Sequence, residues 1–78
     1  MKDLIALNTM PVGALGRVRE LTTGGNARRR MLDLGLIRDT IVESLRKSPA
    51  GDPIAYQIRG AVIALRAEEA SKILVEMI

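Results

Sequence analysis

Cysteine, histidine, phenylalanine and tryptophan are absent from this sequence, and one tyrosine is its entire aromatic content. Without cysteine there is no disulfide framework and no thiolate site for a metal, a composition that suits the cytoplasm. A cysteine nucleophile and a serine–histidine pair are both excluded. Single-strand nucleic-acid binders stack bases on aromatic rings, and proline-rich peptides dock in aromatic-lined grooves; a lone tyrosine supports neither. Apolar runs are short as well. None approaches the roughly 20 residues that cross a bilayer, and the stretch 4–7 is too brief for a secretory signal. No phosphate loop of the G-x-x-x-x-G-K-S/T type is present. These absences predict a chain that is not an enzyme, binds no nucleic acid and makes no direct membrane insertion.

What is there suffices for one small domain, residues 1–78. A chain this short buries only about 60% of its unfolded surface, so the core is thin. Hydrophobic residues make up 47% of the chain, enough to fold rather than stay disordered. Nine arginines and three lysines stand against nine acids, a net charge of +3. The ordinary reading of that balance is a soluble, arginine-rich surface.

Residues 1–13 read as a lead-in, with Leu4, Leu7 and Met10 spaced to pack one turn. Residues 15–22 read as a strand; Val18 and Leu21 fall on opposite phases, which calls for a twist or bulge. Asn26 is placed to cap a helix on which Ala27, Met31 and Leu34 share one face. Gly35 ends that helix in the left-handed region, and Leu36 folds back on Met31. Strand 40–46 leads into a turn at 48–53, rich in Pro and Gly. Strand 54–58 alternates, with Ile54, Tyr56 and Ile58 on one face. Arg59-Gly60 then closes a hairpin that sets Tyr56 opposite Ile63 and Ile54 opposite Leu65. Ala70, Ile73, Leu74 and Met77 recur at helical spacing, and Glu68 can pair with Lys72, so a helix is predicted over 67–77. The expected core is Val18, Met31, Leu34, Leu36, Val42, Leu45, Ile54, Tyr56, Ile58, Ile63, Leu65, Ala70, Ile73 and Leu74.

Four stretches stand in a distinctive order: MPVGALGRV at 10–18, GNARRRMLDLGL at 25–36, TIVESLRKSPAGDPI at 40–54 and RGAVIALRAEEA at 59–70. Together they cover most of the chain and resemble the FeoA family, small cytoplasmic accessory proteins of ferrous iron transport. The resemblance implies a mainly β fold: a small SH3-like β-barrel with one helix inserted after the first long strand and a C-terminal helix. It also implies a cytoplasmic, non-enzymatic accessory that acts by protein–protein contact with FeoB, the membrane transporter with a cytoplasmic GTP-binding domain. The same barrel resembles the C-terminal domain of iron-dependent repressors. A stand-alone metal-responsive regulatory domain is therefore the alternative. One departure stands out. The family usually has Pro-Gly after LGL and one variable residue, where this chain has Arg38-Asp39, and that exchange predicts a type I turn in place of a type II turn.

Arg28, Arg29 and Arg30 are consecutive, and such residues fan over about 200° of a helix, so at most two address one surface. Arg28, Arg29 and Arg38 are the candidate contacts for an acidic patch on a partner. Ser48, Pro49, Gly51, Asp52 and Pro53 are the second candidate group, because a projecting turn is a common place for binding residues. Ferrous iron favours histidine and carboxylate ligands, and only carboxylates are available. No metal-binding, cofactor-binding or catalytic residue is assigned; the expectation is no cofactor, with at most a weak surface site for a divalent cation. An open barrel edge would offer unpaired backbone groups to a second copy.

Overall fold

Alternation of apolar and polar residues builds most of this chain into strands. The computed structural model describes residues 3–78. In chain order the elements are β1 (Leu4–Ala6), a 3-10 turn (Leu7–Thr9), β2 (Leu15–Leu21), α1 (Gly25–Asp33), β3 (Ile41–Lys47), β4 (Ile54–Ile58), β5 (Ala61–Leu65), α2 (Ala67–Ala70) and β6 (Ile73–Met77). The strands form one antiparallel sheet in the order β1-β6-β2-β3-β4-β5, the SH3-like barrel with its inserted helix.

Along β2, β3, β4 and β6 the buried residues sit two positions apart, as the pleat requires. Ile54, Tyr56 and Ile58 face inward from β4, and the β4–β5 register sets Tyr56 opposite Ile63 and Ile54 opposite Leu65. The loop between them has φ of 50° at Arg59 and 83° at Gly60. That is the primed turn whose twist matches the flanking strands. The irregularity expected in β2 lies between Val18 and Glu20, and a second falls between Ser44 and Arg46 in β3.

Helix α1 ends as its sequence predicts. Gly35 takes φ of 98°, its N–H donates to the Leu32 carbonyl, and the Leu36 N–H donates to the Met31 carbonyl at 3.0 Å. This paired arrangement satisfies carbonyls that the helix leaves free. The beginning differs from expectation. Gly24, not Asn26, is the N-cap, and no side chain caps this end. The two glycines let the chain turn directly into the helix, which starts before Asn26 is reached.

The C-terminal segment is a correction. The helix stops at Ala70, and Ile73–Met77 is a strand inserted between β1 and β2. The apolar residues fit two periods. Ala70, Ile73, Leu74 and Met77 suit a helix, whereas Ile73, Val75 and Met77 suit a strand. β-branched Ile73 and Val75 favour the strand, and pairing on both sides satisfies its backbone. Ile73 and Val75 are fully buried, while Leu74 is half-buried.

Further differences touch the core. Leu45 is half-buried, and Ser44 takes the inward position beside it. Parity from Val42 dictates this, and hydrophobicity alone misread it. Leu34 and Ile63 pack on the core from its rim. The core gains Leu7 and Met10 from the lead-in, and Val75 from β6. Gly16 makes room for Met10: a Cβ there would lie 2.8 Å from the Met10 sulfur.

Candidate functional site

The arginine triplet divides among three environments. Arg28 leaves the first turn of α1 toward β2, where its Nη1 donates to the Leu21 carbonyl at 3.3 Å. Arg29 is exposed. Arg30 forms an ion pair with Glu69 of α2. Helical geometry allows at most two of the three on one surface, and only Arg28 reaches the cleft described next.

That cleft lies between β2 and α1, with a volume of about 290 Å³. Val18, Leu32 and Leu36 supply apolar lining, and Arg19, Arg28, Arg38 and Glu20 supply charge. The structure thus brings together two of the three candidate arginines, Arg28 and Arg38, from segments ten residues apart in sequence. Their charges differ in availability from that of Arg19. Arg19 donates to the Asp39 carboxylate at 2.6 Å and approaches Glu76 at 3.6 Å. Among the described residues, neither Arg28 nor Arg38 has a carboxylate within ion-pair distance. Guanidinium groups without a carboxylate partner, beside an apolar floor, suit a carboxylate next to an aliphatic side chain, because a guanidinium can grip a carboxylate with two parallel hydrogen bonds.

Arg38 is held by the turn that follows α1. The Thr40 N–H donates to the Ile37 carbonyl at 3.1 Å, and Asp39 takes φ of 74°. This is a type II pattern, so the predicted change to type I does not occur. Asp39 adopts the left-handed conformation that glycine favours, and its carboxylate holds Arg19. Arg38 also borders a second, shallower cleft of about 480 Å³, with Ile37, Ile41 and Arg59. Arg59 is the residue that sequence reading overlooked as a surface group. Its aliphatic stem lies over Gly35, where a Cβ would come within 2.8 Å of its Cδ. Nothing local in the sequence marks this, since the contact joins the helix end to the β4–β5 hairpin.

The 48–53 group lies elsewhere. It follows β3, whereas Arg38 precedes it, so a strand of about 20 Å separates the two groups. Its polar side chains are occupied internally. The Ser48 hydroxyl donates to the Asp52 carbonyl at 2.7 Å, and the Asp52 carboxylate accepts from the Ala67 N–H at 2.8 Å. Pro49 and Gly51 remain exposed. Pro53 is half-buried and borders a hollow with Pro49, Ala55 and Ala64.

Among the described residues, no three carboxylates gather into a group able to hold a metal ion, and no helix is long and apolar enough to cross a membrane.

The FeoA domain family matches residues 5–77. The chain belongs to this family. A curated FeoA relative from Porphyromonas gingivalis, an Fe(2+) transport protein A/Fe(2+) transporter FeoB fusion protein, is 33% identical over 73 residues, which cover 80% of this chain. This FeoA chain spans only 9% of that relative's length. The solution structure of a FeoA-like protein from Clostridium acetobutylicum is 36% identical and superposes with a TM-score of 0.92 over 100% of this chain and 91% of that one. The zinc complex of Stenotrophomonas maltophilia FeoA, described as a prokaryotic SH3 domain protein, is 26% identical, with a TM-score of 0.80 over 90% of this chain and 87% of that one. A manganese-dependent transcriptional repressor shares the fold over 100% of this chain and 44% of its own, with 19% identity and a TM-score of 0.88. The FeoA barrel and the repressor-type barrel are thus one architecture, as the sequence resemblance implies.

Proposed function

We infer that this FeoA-family chain is a cytoplasmic, non-enzymatic accessory of ferrous iron transport that docks on a FeoB-type transporter through the cleft between β2 and α1. The observation that carries this reading is the fusion of FeoA to FeoB in the Porphyromonas gingivalis relative. A covalent link holds the two parts at high effective concentration, which suits components that work in contact. Iron is the transporter's cargo in this scheme, and the accessory takes no cofactor. Arg28 and Arg38 provide the charged grip, and Val18, Leu32 and Leu36 provide the apolar seat. The complementary partner surface is a short acidic segment carrying an aliphatic side chain. The repressor likeness supports the fold only, so the metal-responsive alternative has no separate observation in its favour.

The test is capture of detergent-solubilised FeoB by this chain, with and without guanine nucleotide. The expected result is specific capture that an Arg28→Glu/Arg38→Glu variant loses. Capture that survives this variant but is lost on Pro49→Ala/Gly51→Ala moves the contact to the 48–53 turn. No capture in either nucleotide state at low salt overturns direct docking.

A further inference from the structure

Strand β5 is a sheet edge without the usual guards. The sheet ends in two strands, β1 and β5. β1 is three residues long and offers little to pair with. β5 has five residues, AVIAL, with no charge and no proline, and its register against β4 is unbroken. Natural edge strands are ordinarily blunted by shortness, lysine, proline or a bulge. β5 has none of these.

The hairpin decides which backbone groups face the opening. A two-residue loop makes Ile58 and Ala61 a hydrogen-bonded pair, and the antiparallel alternation repeats this at Tyr56–Ile63 and Ile54–Leu65. The N–H and C=O groups of Val62 and Ala64 therefore point away from β4. Among the described residues, none of these four groups has a hydrogen-bond partner. Val62 is 58% exposed, and Ala64 is exposed beside it.

We propose that β5 is a self-association edge, on which two copies of this chain pair antiparallel about a two-fold axis at Ile63. Val62 of one copy then lies opposite Ala64 of the other. Three features select a second copy as the occupant. First, this register matches every outward-facing backbone group of Val62 and Ala64, since both positions have the same parity. Second, the outer face is self-complementary. Ala64 and its β4 neighbour Ala55 help line a hollow of about 270 Å³, with Pro49, Pro53, Arg46 and Lys47. The register carries Val62 of the second copy to this hollow, and the same contact is made in reverse. Third, β5 itself bears no charge to repel an identical strand, and the side chain that reaches the hollow beside Arg46 and Lys47 is the uncharged Val62. On the inner face, Ile63 meets Ile63 of the second copy, which covers a side chain left half-buried in the single chain. The contact is isologous, so it closes at two copies and does not propagate.

The proposal is independent of transporter docking, since Arg28 and Arg38 take no part in it. Sedimentation equilibrium from micromolar to millimolar protein, with amide exchange read residue by residue, tests it. The expected result is a concentration-dependent dimer in which the Val62 and Ala64 amides gain protection as dimer forms. Val62→Lys adds a guarding charge, and Ala64→Pro removes an outward donor without touching the β4 ladder. Each weakens association by at least about ten-fold while the circular dichroism stays that of the parent. Two results overturn the proposal: a monomer at millimolar concentration with both amides exchanging freely, or a dimer that either folded variant leaves unchanged. Should one variant fail to fold, the other variant and the exchange data on the unaltered chain decide.

Discussion

The carboxylate of Asp52, at the end of the β3–β4 turn, accepts a hydrogen bond from the backbone N–H of Ala67 at the start of α2. The two residues are 15 apart in sequence, and the bond is 2.8 Å long. It satisfies one of the donors that every helix start leaves free, and it fixes the turn to the rest of the barrel. Asp52 also lies 3.9 Å from the Arg66 guanidinium. Asp52→Ala should therefore cost about 1 kcal/mol, the ordinary worth of such a cap, whereas Asp52→Asn keeps an acceptor and recovers most of it. Urea midpoints at constant m value check both. If the alanine variant matches the parent, the bond contributes nothing.

Asp39 occupies a position built for glycine. Its φ of 74° carries a penalty of roughly 1 kcal/mol for a residue with a Cβ. Its exposed ion pair with Arg19 returns at most about 1 kcal/mol. Asp39→Gly should accordingly be neutral or slightly stabilising. Asp39→Val should lose about 2 kcal/mol, because a branched Cβ is poorly tolerated at positive φ. Thermal unfolding of the two variants separates backbone conformation from charge; a glycine variant much less stable than the parent would show that the ion pair dominates.

Much of this fold can be read from the residues. The 54–65 hairpin was legible because alternation and a two-residue loop fix one parity. The end of α1 was legible because Leu-Gly-Leu has a single good reading as a helix stop. The strand at 73–77 was not, since its apolar positions satisfy helical and strand periods alike, and only the gap between β1 and β2 chooses. In the lead-in, the spacing of Leu4, Leu7 and Met10 pointed to one packed turn, but not to the full burial of Leu7 and Met10 in the core. For the site, Arg28 and Arg38 could be chosen as uncommitted charges, but their meeting in one cleft depends on how α1 sits on β2. The same holds for Arg59 over Gly35, a contact between distant segments that no spacing records.

Ser44 is a buried hydroxyl whose oxygen has no hydrogen-bond partner. It stands opposite Tyr56 across β3 and β4. A desolvated hydroxyl without a partner costs more than it returns. Ser44→Ala should be neutral or stabilising by about 1 kcal/mol, with an unchanged m value. A clear loss of stability in urea would mean that the hydroxyl is satisfied in solution.

Tyr56 is fully buried, and burial pushes its phenol up to about 12. The folded chain holds this proton more tightly than the unfolded chain, whose phenol titrates near 10. This phenol therefore leaves stability unchanged below about pH 10 and lowers it by roughly 1.4 kcal/mol per unit between pH 10 and 12. As the chain has one tyrosine, phenolate absorbance should rise together with unfolding. Tyr56→Phe should flatten that part of the stability curve. Phenolate forming near pH 10 in a chain that is still folded would contradict the expectation.

The placement of β6 has a consequence for how the molecule is made. It follows the other strands in sequence, yet it lies between the first two in space. Among the described residues, β1 pairs only with β6, through Leu4↔Glu76, Ile5↔Val75 and Ala6↔Leu74. During synthesis, β2, β3 and the β4–β5 hairpin can form as each emerges, but β1 must wait, unpaired, until β6 has emerged as well. Its pairing spans nearly the whole chain, the kind of contact that slows folding most. A nascent chain stalled before Ile73 would leave β1 unpaired and expose the edge of β2 in addition to that of β5, so it stays prone to wrong pairing until residues 73–77 arrive.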